Sequence, residues 1–498
     1  MKKYIYIIAV LMAFTSCKKF LDVKPESQID KDQLFTTEEG FKEALNGIYT
    51  LCASQTLYGG NLTFSNLDIL AQNYQFNDAF YQGIANFNYT DPTTVAKNAS
   101  IWSTGYRAIA NCNYILGAID DKKNVFMGNN YGIIKGEALT LRAYLHFDLL
   151  RMFAPSYNSQ PNAKGIPYVT TIGTKSTAFS TVSGTLDKII ADLNAAKLLL
   201  KSTDPINSAT YIVGYPTDTA SATNPIVGTE VANPDLFLQN RRHRLNYYSV
   251  CGELARAYLY KNDLPNSLSN AQEVINSQKF PFTNQADFFN TDITRRDRIF
   301  YKELISAWFI DTGDINSELQ GLFSKSGPDY SGTADQVADI YEKAQAGADD
   351  WRYKQWFLTT ASVTGGPDRA ILQKYVKNAT PLANRHPLVA PAIRLSEMYY
   401  IAAEASFDTN PMQALNYYNT IRAKRGIGAA VTGVTDKPTF INLLLVEARK
   451  EFYGESQIFY MYKRLNHAVT ISATQVKPAS DQIFVFPLPV DEAAYRNN

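Results

Sequence analysis

The chain has 498 residues, 19% of them charged, with 48 Lys and Arg against 47 Asp and Glu. Such a near-neutral chain is a poor nucleic-acid binder, because phosphate neutralisation supplies most of that affinity. Its 45% hydrophobic content, spread evenly, excludes disorder, and its length suffices for a large core. Aromatics are plentiful, with 32 Tyr and 27 Phe, and Tyr suits half-wet binding surfaces as well as cores.

The N-terminus sets the compartment. Lys2 and Lys3 precede an uncharged, mostly apolar run over 4–14. That run has signal-peptide length, well short of the ~20 residues of a membrane-spanning helix. Thr15, Ser16 and Cys17 follow, and small residues before a lone Cys match a bacterial lipobox. Residues 1–16 are therefore expected to be a removable signal peptide, with Cys17 lipidated and the mature chain anchored to a membrane rather than spanning it. Cys52, Cys112 and Cys251 remain. All three sit in apolar helical patterns and read as buried free thiols, and no Cys/His spacing suits zinc.

Helical patterns dominate from there on. Thr36 with Glu39 fits a capping box for a helix to about Ala53. Amphipathic stretches follow at about 95–119, 131–153, 184–201, 246–262, 267–277, 393–407, 411–427 and 439–466. In the stretch 393–407, Leu395, Met398, Ala402 and Ala405 make one apolar stripe. Asn410-Pro411 reads as N-cap and first residue of the next helix. The short loop between these two helices implies an antiparallel hairpin. Arg142-Ala143-Tyr144-Leu145 recurs as Arg256-Ala257-Tyr258-Leu259, each copy preceded by an acid, Glu137 and Glu253. Ala143 with Phe147 matches the small-then-aromatic element of a tetratricopeptide repeat. The expected fold is mainly α: tetratricopeptide-like helical hairpins in a right-handed scaffold, with a loop-rich subdomain of a few short strands. The scaffold takes in about 36–153, 184–201, 246–277 and 393–466. Insertions at about 58–92, 155–180, 203–240 and 280–390 are rich in Asn, Thr, Gly, Pro and aromatics, and loops on a rigid scaffold commonly carry binding. Residues 17–498 are read as a single unit. Residues 483–489 read as a short strand closed by prolines.

Enzyme signals are few. The four histidines are scattered, with no HExxH, GxSxG or phosphate-loop motif. His146 lies among apolar neighbours and reads as structural. Gly426-x-Gly428 follows a helix and lacks a third Gly, so it is no dinucleotide fingerprint. Asp349-Asp350 reads as turn residues or solvated charges.

At 393–466 the pattern becomes specific. Arg394, Glu397, Glu404, Leu415-Asn416, Ile421-Arg422, Glu447-x-Arg449-x-Glu451-Phe452 closely resemble the C-terminal signature of the SusD/RagB-like family, the surface nutrient-binding lipoproteins of Bacteroidetes. Phe20-Leu21-Asp22 after the lipobox, Trp102 and Tyr106 with Asn113, Gly136-Glu137-Ala138 and Pro487-Leu488-Pro489 support the resemblance. The chain departs from the family where Ser456, Ile458 and Met461 stand in place of Gly, Arg and Asp. Arg and Asp are missing together, so no unpaired charge is left behind.

The resemblance implies a tetratricopeptide-like half and a loop-rich half and no catalysis; no cofactor and no metal ligand is assigned from the sequence. It implies a glycan or oligosaccharide ligand (a peptide in some members). It also implies a SusC-type TonB-dependent outer-membrane transporter as partner. A sugar ring has an apolar face and a polar rim, so its site needs a flat aromatic ringed by hydrogen-bonding groups. Tyr74, Phe76, Asn77 and Tyr81, in a segment with Phe80, Asn73, Gln75 and Asp78, have that composition. Trp308 and Phe309 are the second candidate pair. Trp351, Trp356 and Trp102 read as core. A surface glycoside hydrolase and a purely structural helical adaptor are the rival classes, separated by product formation and by small-ligand affinity.

Overall fold

The computed structural model describes residues 31–173, 175–219, 227–311, 319–323, 330–361, 365–472 and 474–496. The signal, Cys17 and Phe20-Leu21-Asp22 lie outside them. Ten helices of nine residues or more run through the described residues: α1 (Glu38–Cys52), α2 (Pro92–Ala118), α3 (Asn130–Phe153), α4 (Val182–Thr203), α5 (Tyr247–Tyr260), α6 (Leu264–Ser277), α7 (Leu395–Ser406), α8 (Pro411–Lys424), α9 (Lys437–Glu451) and α10 (Gln457–Leu465). Their starts are written locally. Thr37, Asp91, Thr181, Asn246, Asp263, Asn410 and Asp436 each accept a first-turn amide, satisfying donors the helix itself leaves unpaired. The cap of α1 is Thr37, one residue past the Thr36 expected. The Thr36 hydroxyl is already used, donating to Gln33 O at 2.6 Å.

Each helix from α1 to α8 packs on the next, and α9 and α10 close the row against α7 and each other. α3 is the centre: every residue but Tyr131 and Lys135 is buried, as for a helix with partners on all sides. A Cβ on Gly132 or Gly136 would lie 2.6 Å from Thr203 or Leu200 of α4, so both glycines permit the close approach. The echoed Arg-Ala-Tyr-Leu motifs do matching work. Arg142 of α3 grips Asp192 of α4 with two bonds of 2.7 and 2.8 Å. Arg256 of α5 grips Glu397 of α7 at 2.5 and 2.6 Å.

The insertions carry the strands. β1 (Lys164–Pro167) pairs with β2 (Phe179–Thr181); β3 (Leu304–Phe309) pairs antiparallel with β7 (Val389–Arg394); β4 (Ser331–Thr333), β6 (Arg369–Leu372) and β5 (Phe357–Thr360) form a small sheet in that order. Two expectations are corrected. The stretch 439–466 is two helices, because Gly454 (φ 74°) and Ser456 (φ 60°) turn the chain between them. Residues 485–489 form no strand; Phe486 N–H bonds Met152 O at the end of α3 instead.

The signature charges lie inside. Six cations, Arg352, Arg394, Arg422, Arg425, Lys374 and Lys450, pair with six carboxylates, Asp350, Glu303, Glu342, Glu447, Glu451 and Glu455. Glu451 accepts from Arg352, Arg394 and Arg425, joining α9 to β7, to the end of α8 and to the short helix Trp351–Trp356. Burial raises carboxyl pKa, and at Glu303 it prevails over Arg425, but at two others the cations overcome it: Arg352 and Lys450 pull Glu447 down to about 2, and Arg425 and Arg394 hold Glu451 well below its ordinary value. Asp349 is solvated as expected, but Asp350 is corrected: it is fully buried, bonded twice to Arg352 Nε and Nη2. Ile458, where the family has Arg, is buried without a charge to satisfy. Cys52, Cys112 and Cys251 are buried and unbridged, and burial pushes the Cys112 and Cys251 thiols up to about 12. His146 is structural. Its Nε2 accepts from Val169 N–H, so Nδ1 carries the proton and donates to Arg142 O, and burial pulls its pKa down to about 3.

Candidate functional site

The insertion after α1 delivers an aromatic surface. Asp78 caps the short helix Ala79–Ala85, accepting from Phe80 N–H (2.9 Å) and Tyr81 N–H (3.2 Å). That turn brings Tyr81 over Phe76: ring centroids are 4.7 Å apart and the planes differ by 24°. Gln82 Nε2 donates to Phe76 O and holds the pair in place. Beneath them the ring of Tyr330 meets Phe76 edge-on at 5.5 Å and Tyr81 at 5.6 Å. The loop is fastened to the three-stranded sheet. Gln75 N–H donates to Ser331 O at 3.0 Å, and Arg369 bridges Gln75 O and Ser331 O. Phe76, Phe80 and Tyr81 are half-buried, and Asn77 is exposed beside them. Lys97 lies over Phe80 at 5.3 Å, and desolvation lowers its pKa.

Tyr74 is corrected. It is 2% exposed, its hydroxyl donates to Phe64 O, and Tyr330 and Tyr453 pack edge-on against its ring. It supports the surface and does not form it. The second predicted pair divides. Successive strand side chains point to opposite faces, so β3 turns Trp308 inward and Phe309 outward. Trp308, 2% exposed, stacks on Tyr58 at 4.5 Å and 9° and meets Tyr144 edge-on. It is a core residue at the base of a groove, which corrects its reading as a direct platform. Phe309 is 40% exposed. No ring contact joins the Tyr81 cluster to the Trp308–Phe309 pair among the described residues.

Sequence reasoning missed Tyr330, which completes the cluster from far along the chain. It also missed Phe237 and Arg244, whose signal was an apolar Leu236-Phe237-Leu238 run beside a basic one within an Asn- and Pro-rich insertion. Among the described residues, no three His, Cys, Asp or Glu side chains are placed to hold a metal ion. No helix among them is long and apolar enough to cross a membrane.

Stacked helical hairpins carrying aromatic residues on anchored loops define a helical-repeat ligand-binding protein. A family model described as "Starch-binding associating with outer membrane" matches residues 19–222, and that of the SusD family matches 242–483. The SusD-like protein P2 of Formosa agariphila is 22% identical over all of this chain and 98% of its own length. A crystal structure of a SusD-like carbohydrate binding protein from Bacteroides vulgatus superposes with a TM-score of 0.69 at 18% identity, covering 93% of this chain and 97% of that one. A SusD superfamily protein from Bacteroides thetaiotaomicron gives 0.65 at 19% identity, covering 92% and 98%. The chain belongs to the SusD/RagB-like family of carbohydrate-binding proteins associated with the outer membrane.

Proposed function

We propose that this protein is a cell-surface lipoprotein, anchored through Cys17, that binds a glycan or oligosaccharide and passes it to a SusC-type TonB-dependent transporter without cleaving it. The observation that carries the reading is the half-exposed Phe76–Tyr81 stack on a fastened loop. A flat ring pair takes the C–H face of a sugar, and a loop already held by Gln82, Arg369 and Ser331 loses little freedom on binding. Asn77, at the edge of the stack, supplies a hydrogen-bonding amide to the sugar rim. The one carboxylate of this turn, Asp78, is occupied as a helix cap, which supports binding over acid–base chemistry. The family's association with the outer membrane supports the lipid anchor and the transporter partnership.

The test is a binding screen of residues 18–498 against a polysaccharide panel and a peptide mixture, by affinity gel and calorimetry. Retention of one glycan class, unshortened, and weakened about tenfold or more by Tyr81→Ala, supports the reading. Retention of peptides in place of glycans moves the ligand class to peptides. Shortened glycan in the eluate overturns the non-catalytic role.

A further inference from the structure

A second surface has the chemistry of a ligand site and lies in another part of the fold. A groove of about 1060 Å³ runs between α1, the insertion at 231–244 and the outer end of β3. Its base is Trp308, and its exposed platform is Phe309, with the His243 ring tilted against it at 5.3 Å. Its wall is a layered stack: the Arg244 guanidinium lies 4.4 Å from the Tyr49 ring and 4.7 Å from that of Phe237. Val231 and Leu236 on the rim are 52% and 78% exposed. A wall of stacked rings and guanidinium keeps its shape without a ligand.

Charge states what the groove takes. Lys42 is held by Glu38, Glu39 and Asp235. Arg244 is held by Glu137, and its Nη1 donates to Asn46 Oδ1 at 2.8 Å. Both lining cations are thus neutralised by the protein, and the carboxylates of Glu39 and Asp235 outnumber Lys42 on the rim, so an anionic ligand gains no partner there. Hydrogen-bond donors are in surplus instead. The indole Nε1 of Trp308 and Nη2 of Arg244 have no acceptor among the described residues. Asn46, whose oxygen is taken by Arg244, retains its NH₂. A platform ring, donors lacking acceptors and no cation left for an anion together match an uncharged molecule with an apolar face and oxygen acceptors around it.

We infer that this groove is a second saccharide-binding site, selective for neutral oligosaccharides and independent of the Phe76–Tyr81 surface. It rests on the glycan-binding reading above. A glycan chain held at two points is retained more strongly than at either alone, provided its length spans both.

The experiment is calorimetric titration of residues 18–498 with maltohexaose, cellohexaose, xylohexaose and laminarihexaose, and with an acidic hexagalacturonide. Wild type, Phe309→Ala, Phe309→Tyr and Tyr81→Ala are compared, with circular dichroism verifying the fold of each. The expected result is two sites for at least one neutral hexasaccharide. Phe309→Ala weakens one by about tenfold or more and leaves the other. Phe309→Tyr, which keeps the ring, retains both, and Tyr81→Ala leaves the groove site intact. If Phe309→Ala changes nothing while Tyr81→Ala removes all binding, the inference falls and the proposed function stands. If Phe309→Ala alone removes all binding, the groove stands and the Phe76–Tyr81 assignment falls. Preference of the groove for the acidic sugar overturns the neutral-ligand claim, and failure of every saccharide overturns both.

Discussion

Replacing Glu451 with Gln tests whether the buried charge cluster holds the C-terminal helices together. Glu451 is fully buried and accepts from Arg352 Nη1 (2.9 Å), Arg394 Nη1, Arg425 Nε (2.9 Å) and Arg425 Nη2 (2.7 Å). The cluster balances, six cations against six carboxylates. Glu451→Gln therefore leaves one buried positive charge uncompensated and turns one acceptor oxygen into a donor facing guanidinium. Breaking such a pair from one side costs about 3–5 kcal/mol, far more than the 0–1 kcal/mol of a surface pair. The pH dependence has a definite sign. Glu447 falls from 4.5 in the unfolded chain to about 2 in the folded one, and Glu451 shifts the same way. Carboxyls depressed on folding contribute stability that is complete above pH 4.5 and is lost as pH falls through about 2. For Glu447 that contribution is about 3 kcal/mol. Urea unfolding followed by circular dichroism, at pH 7 and in steps down to pH 2.5, measures both effects. Glu451→Gln should lower the midpoint at pH 7 and flatten the acid loss. Arg425→Met combined with it should recover part of the loss, a coupling that a double-mutant cycle isolates. A loss below about 1 kcal/mol at pH 7 would refute the reasoning, because water would then be screening the cluster as it does at a surface.

Other outcomes follow from the same geometry. Trp308→Ala empties the space between Tyr58 and Tyr144 and should cost about 3–5 kcal/mol in thermal unfolding; an unchanged Tm would show that the ring is not packed. Gln278 ends α6 at φ 52° with an exposed side chain, so Gln278→Gly should stabilise by about 0.5–1 kcal/mol. A fall in the urea midpoint would contradict that strain. Cys17→Ser should abolish metabolic labelling by a palmitate analogue and release the protein from the membrane fraction; persistence of label would locate the anchor elsewhere.

Much of the scaffold was legible in advance because its causes are local. Caps such as Asn410 before Pro411 and the stripe of Leu395, Met398, Ala402 and Ala405 act within a few residues of themselves, and the structure keeps both. Where a boundary slipped, the cause was also local but invisible to periodicity. Thr36 bonded backward to Gln33, and two left-handed residues cut 439–466 in half. The candidate site was legible as composition only. The segment 73–81 has the residues of a sugar platform, yet nothing in it tells Tyr74 from Tyr81. Tyr330 and Tyr453 bury the first, and the turn capped by Asp78 leaves the second half-exposed.

The family signature shows the same division. Read along the chain, Arg394, Glu447 and Glu451 could line a site or hold a core. In space they are buried and bonded to partners from other elements: Glu451 to Arg394 at 57 residues' separation, and Glu447 to Arg352 at 95. The sequence by itself determined the helical periods and their caps, because each is encoded in residues close together, and it carried the signature by which the family is recognised. Tertiary structure alone decided which aromatics meet water and which charges neutralise one another. Exposure and ion pairing belong to neighbours in space, and those neighbours come from distant parts of the chain.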